Sequence, residues 1–115
     1  MEKEKRMTVN EFFSSFTISS EYVYYIFFTN NFKRDVKKCF KRNLDLKVLV
    51  DIVKKLAKNE ILPAKYKVHK LENYYQASGE VMECHIKPDW LLVWVQEDDK
   101  LILTLTDTGT HSDLF

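Results

Sequence analysis

The sequence predicts an α+β fold in which an antiparallel sheet packs against an N-terminal helical hairpin. Three observations carry this expectation. Apolar residues recur at helical spacing over two consecutive stretches between residues 32 and 57. Aromatic and β-branched residues dominate residues 22–28 and three short segments after residue 80. Turn chemistry, Lys87-Pro88-Asp89 and Glu97-Asp98-Asp99-Lys100, separates those three segments.

Taken in order, residues 1–20 read as an extension ahead of a single domain over 21–115. Thr8-Val9-Asn10-Glu11 has capping-box spacing before Phe12, Phe13 and Phe16, which suggests a short helix near residues 9–16; a frayed tail is the alternative. Residues 22–28 have the length and composition of one strand buried on both faces. Asn30 or Asn31 can cap the helix that follows. There Phe32, Val36, Cys39 and Phe40 share one face, and Lys33, Lys37 and Lys41 line a neighbouring stripe. Asp45 is a second cap, ahead of Leu46, Leu49, Val50, Val53 and Ala57. Asn59 and Pro63 end that helix. The short link around Asn43 makes the pair antiparallel. Residues 64–80 read as loop, with an extended piece over 66–71. Strands over 81–86, 90–96 and 101–106 form a meander, and the last seven residues run out from it.

A length of 115 residues, 45% hydrophobic, suffices for one core and argues against disorder. No run reaches the roughly 18 apolar residues of a membrane span. The charged start, Met1 to Arg6, precedes no apolar signal core, so a cytoplasmic location is expected. Cys39 and Cys84 match no metal spacing and read as reduced, buried thiols. Two glycines leave no room for a glycine-rich phosphate loop. Net charge is +1, but its distribution is uneven. Residues 33–70 hold 13 basic against 4 acidic residues, a net of +9, and the remainder holds 5 against 13, a net of −8. Such a segment can meet a polyanion or an acidic protein, although basic stripes also line ordinary wet helix faces.

The chemistry-bearing residues are sparse. His69, His85 and His111 are the only histidines, each among polar neighbours. Glu83 and Asp89 flank His85. Histidine alone titrates near neutrality unperturbed, so this is a kit for acid–base chemistry. Strand alternation sends Glu83 and His85 to one face, and Met82, Cys84 and Ile86 to the other. Spacing alone also admits bystander histidines on a wet surface. A metal site suits the ligand types, but no His-x-x-x-His or cysteine pair supports it.

The block Glu83-Cys84-His85-Ile86-Lys87-Pro88-Asp89-Trp90-Leu91-Leu92-Val93 resembles the YafQ-like branch of the RelE toxin superfamily. So does the ending Thr108-Gly109-Thr110-His111-Ser112-Asp113-Leu114-Phe115. Leu62-Pro63 with Tyr66-Lys67-Val68-His69-Lys70-Leu71, and Asn31-Phe32-Lys33-Arg34-Asp35-Val36-Lys37, are similar to the same branch. The resemblance spans roughly residues 22–115. It implies a microbial-ribonuclease-like fold and the toxin half of a bacterial type II toxin–antitoxin pair. It further implies cleavage of mRNA on the ribosome by attack of the RNA's own 2′-hydroxyl, with neither metal nor cofactor. By motif, His111 becomes the main acid–base residue, with His69 and His85 as base and phosphate-binding partners. Glu83 and Asp89 would orient the histidines. Phe115 would stack on or position a base, and Lys67 and Lys70 would bind substrate. The implied partners are an antitoxin with an acidic segment, mRNA on the ribosome, and operator DNA only through the antitoxin; no membrane is implied. A catalytically silent relative that only binds an antitoxin or operator complex is the alternative. Met82 stands where relatives often carry Arg, and the stretch between Leu71 and Glu83 is longer than in shorter relatives.

Overall fold

Thr29, in extended conformation, starts the first long helix: its hydroxyl accepts from Phe32 N at 3.0 Å and donates to Thr106 O at 2.8 Å. The cap therefore lies one residue before the expected Asn30 or Asn31, because Thr29 can also tie the helix start to the sheet. In this computed structural model, which describes residues 5–71 and 80–115, α2 runs Asn30–Lys41 and α3 runs Leu46–Ala57. A shorter helix, α1 (Val9–Ser14), precedes them. Asn43 (φ 62°) turns the hairpin in the left-handed region that asparagine tolerates. Asp45 caps α3 as expected, accepting from Lys47 N at 3.0 Å.

The five strands are β1 (Tyr25–Phe28), β2 (His69–Lys70), β3 (Glu80–Lys87), β4 (Trp90–Glu97) and β5 (Ile102–Gly109). Their order is β1-β5-β4-β3-β2. The α+β expectation holds, and β2 to β5 are antiparallel; β1 alone joins the edge parallel to β5. A parallel pair needs a long crossover, here supplied by the hairpin and the meander. The first strand is not buried on both faces. Ile26 and Phe28 pack on the core, whereas Tyr25 and Phe27 are 71% and 54% exposed. An edge strand has one neighbour, so its outward side chains are not enclosed. Of the expected extended piece, only His69 and Lys70 pair as strand, after a 3₁₀ turn over Ala64–Tyr66. The remainder of the expected loop, 72–79, lies outside the described residues.

Each hairpin helix buries one stripe: Phe32, Val36 and Cys39 on α2, and Leu46, Leu49, Val53 and Leu56 among others on α3. The sheet answers with Cys84, Ile86, Trp90, Leu92, Trp94, Leu103 and Leu105. Phe12 of α1 is fully buried in this same core. Its ring meets Phe13 and Phe16 edge-on at 4.9 and 5.2 Å, and lies 6.2 and 6.1 Å from Phe28 and Phe32. The Thr8–Glu11 capping box forms, so this stretch is a helix and not a tail.

On the other sheet face Val81, Val93 and Val95 form a smaller apolar cluster with Leu71 and Leu114. A bulge separates the two faces of β5. Val93 pairs with Asp107 and Trp94 with Leu105, leaving Thr106 extra. Alternation is thereby reset. Thr108 turns inward, its hydroxyl accepting from Trp90 Nε1 at 2.9 Å and donating to Leu91 O at 2.7 Å. β5 continues to Gly109, past the expected end at residue 106, and His111–Leu114 form one helical turn, α4. Among the described residues no helix is long and apolar enough to cross a membrane.

Candidate active site

Strand register brings the three histidines into one row. His69 of β2 lies opposite Glu83 of β3, and His85 follows two residues later on the same face. His85 pairs with Leu91 of β4, which pairs with Gly109 of β5. The end of β5 is thus two strands from His85, and His111, at the start of α4, lands beside it. Ring centroids step 6.2 Å from His69 to His85, 5.9 Å to His111 and 6.2 Å to Phe115. Residues spread over 47 positions become nearest neighbours.

A carboxylate stands behind each ring. Glu83 is 4% exposed, and its Oε1 lies 3.2 Å from His69 Nε2 and 3.8 Å from His85 Nε2. Burying a carboxylate is costly unless charge or hydrogen bonds compensate. Here the compensation comes from the two imidazoles, while Oε2 has no hydrogen-bond partner among the described residues. His69 Nδ1 meets the Lys67 carbonyl at 2.8 Å. Both ring nitrogens of His69 therefore face oxygen atoms, which fixes the orientation of the ring. Asp89, on the β3–β4 turn, places Oδ1 3.3 Å from both the backbone N and the ring Nδ1 of His111. That contact aims Nε2 of His111 away from Asp89 and leaves it for a substrate.

The expected same-face placement of Glu83 and His85, with Cys84 and Ile86 turned to the helices, is what forms. Met82 also packs on the helical core, so an arginine in its place would start from the opposite face to the histidine row. Phe115, 55% exposed, closes the row. Lys67, in the left-handed region (φ 50°), shares a cleft of about 410 Å³ with Lys65, Lys87 and His85. Lys70 is not brought to the row. It pairs with Met82 across the strands, on the other face from His69, and its Nζ meets Glu80 Oε1 at 3.5 Å.

Beyond Phe115 a groove of about 480 Å³ opens between α2 and the outer sheet face. Val81, Val93 and Val95 line its apolar part, and Arg34, Lys38 and Asp107 its polar part. Sequence reasoning did not pick out this groove, because the Thr106 bulge that turns Asp107 outward has no local signal. It also missed Arg42 and Asp113, which meet near the row. The spacing Thr110-His111-Ser112-Asp113 was a readable capping-box signal for α4. Among the described residues no group of three or more His, Cys, Asp or Glu side chains could hold a metal ion.

The chain is similar to known proteins over most of its length. Residues 24–115 match the family described as bacterial toxin of type II toxin–antitoxin system, YafQ. The mRNA interferase toxin YafQ of Escherichia coli strain B is 34% identical over 89 residues, 76% of this chain and 91% of that protein. Toxin in the E. coli DinJ–YafQ complex superposes with a TM-score of 0.72 at 33% identity, covering 80% of this chain and 98% of that one. A metal-bound toxin from Helicobacter pylori superposes at 0.71 with 38% identity, covering 78% and 97%. With its fold, its ordered motifs and four-fifths of its length in agreement, the chain belongs to the YafQ family of bacterial type II toxin–antitoxin toxins.

Proposed function

We propose that the protein is an mRNA endoribonuclease that stops translation and is held in check by an antitoxin. One observation carries the reading: an unbroken row of His69, His85 and His111, ending on Phe115, with a carboxylate behind the rings. RNA supplies its own nucleophile, so the enzyme needs only a base, an acid and charge stabilisation. One histidine accepts the 2′-hydroxyl proton as the 2′-oxygen bonds to phosphorus. The bond to the 5′-oxygen breaks, and His111 Nε2 donates the proton that oxygen takes. The products are a 2′,3′-cyclic phosphate and a 5′-hydroxyl end.

His85, half-buried between its two neighbours, is the base, and His69, set between Glu83 and the Lys67 carbonyl, offers positive charge to the phosphate. Glu83 and Asp89 hold ring orientation. Phe115 presents a ring on which a nucleobase stacks. Lys67, with its neighbours Lys65 and Lys87, meets the RNA backbone, while Lys70 contributes from the sheet edge. The substrate is mRNA in the ribosomal A site. Residues 21–115 carry the activity and 1–20 form an added segment. The antitoxin contributes an acidic stretch that the net +9 of residues 33–70 attracts, and operator DNA is reached only through it. The site of action is the cytoplasm.

The test is induced expression of wild type and His111→Ala, with transcript ends mapped by primer extension. Wild type should slow growth and cut message. His111→Ala should cut roughly 10²–10⁴ times more slowly. Wild type that neither slows growth nor cuts would overturn the enzyme and leave a silent antitoxin-binding protein. Cleavage that stops with EDTA on intact ribosomes would overturn the metal-independent chemistry.

A further inference from the structure

A single turn such as α4 cannot hold itself, because helix nucleation is unfavourable. Its rigidity comes from outside the turn. Thr110 and Asp113 close a capping box: Asp113 N donates to Thr110 Oγ1 at 3.3 Å, and Thr110 N donates to Asp113 Oδ2 at 2.9 Å. The carboxylate leans back over Gly109, where a Cβ would lie 2.8 Å from Asp113 Oδ2. Any other residue at 109 would push Asp113 away. From this position Asp113 reaches the end of α2. Arg42 Nη1 donates to Oδ2 at 2.5 Å and Nη2 to Oδ1 at 3.1 Å, a two-pronged grip. This guanidinium, with the Thr110 amide, holds the Asp113 carboxyl well below the usual carboxylate range. The grip thus stays charged across the neutral range.

We infer that Arg42 and Asp113 latch α4 to the helical hairpin and thereby set the positions of His111 and Phe115, which makes Arg42 a positioning residue for the cleavage proposed above. The inference rests on that reading for its catalytic consequence, but not for its geometry. His111 is held from two sides. Asp89 fixes its backbone N and ring from the β3–β4 turn, and the latch fixes the turn of helix that carries it. The hairpin helices pack fully buried side chains, among them Phe32, Val36, Leu49 and Val53, into the core, so the latch refers α4 to a well-packed layer. Proton transfer requires hydrogen-bond reach, whereas RNA affinity is shared among many cations. Releasing the latch should therefore lower kcat and leave KM almost unchanged.

The experiment compares full-length wild type, Arg42→Ala, Arg42→Lys and Asp113→Asn. It reads steady-state cleavage of ribosome-bound message and, without substrate, the NMR cross-peaks between the His85 and His111 rings. Asp113→Asn retains one acceptor for the capping box and removes the charge and one of the two prongs that Arg42 holds. It therefore serves if Arg42→Ala folds poorly. Expected are a kcat loss of roughly 10- to 100-fold in Arg42→Ala and Asp113→Asn. KM should stay within about twofold, the cross-peaks should weaken, and Arg42→Lys should recover part of the rate. Unchanged cross-peaks overturn the latch. A loss confined to KM also overturns it, since Arg42 would then be touching RNA directly. Cross-peaks present in wild type and weakened in Arg42→Ala and Asp113→Asn, with a wild type that never cuts message, would keep the latch and sink the enzyme reading instead.

Discussion

Phe12→Ala is the sharpest probe of how this chain builds its core. Phe12 lies outside the stretch that matches the family, 24–115, yet it is fully buried among Phe13, Phe16, Phe28 and Phe32. Truncating a buried phenylalanine costs about 3–5 kcal/mol through lost transfer energy and the cavity left behind. The upper half of that range is expected, because the two edge-on contacts add about 0.5–1.5 kcal/mol each. An unfolding entropy of about 2.1 cal/mol/K per residue gives about 0.24 kcal/mol/K for 115 residues, so the melting midpoint should drop by roughly 17–21 °C. Urea unfolding followed by tryptophan fluorescence measures this directly, since Trp90 and Trp94 are buried in the same core. Ile18→Ala, at a fully exposed side chain, is the control and should stay within about 0.5 kcal/mol. A loss under about 1 kcal/mol for Phe12→Ala would refute the claim that residues 9–16 are structural.

Three further outcomes are expected. Glu83→Gln removes the buried charge beneath His69 and His85 and should slow transcript cleavage at least about 10-fold, while circular dichroism stays native; wild-type cleavage by this variant would remove Glu83 from the site. Burial raises the Asp35 carboxyl above its ordinary value, so its contribution to stability is present below the unfolded value and fades as pH rises through the folded one. Asp35→Asn, which can still accept from Thr108 N, should therefore melt higher than wild type at pH 7 and equal to it near pH 3; an unchanged difference across that range would contradict the assignment. Burial pushes the Cys39 thiol up to about 11 and Cys84 to about 12, so neither should react with a thiol reagent at pH 8 until the protein unfolds. Prompt labelling of the native protein would show that the core opens at those positions.

Much of this architecture was legible residue by residue. The helical stripe of Phe32, Val36 and Cys39, the Asp45 cap, the Thr8–Glu11 box and the meander all follow from local periods and caps. So does the shared face of Glu83 and His85, because alternation along a strand is a local rule. What the local rules missed depends on neighbours. The first strand looked buried on both sides because its composition is apolar throughout, but burial belongs to the sheet, and an edge position leaves Tyr25 and Phe27 in water. Lys70 shares its motif with His69 yet lies on the opposite face of the sheet, since its register with Met82 is set by strand pairing.

The sequence by itself determined which residues could do chemistry: three histidines and two carboxylates, to which the family resemblance added Phe115. Tertiary structure alone decided that they meet. The register from His85 through Leu91 to Gly109 spans three strands, and the salt bridge from Arg42 to Asp113 spans 71 residues. Hydrogen-bond ladders and ion pairs join residues by distance in space, and one-dimensional spacing carries no measure of that distance.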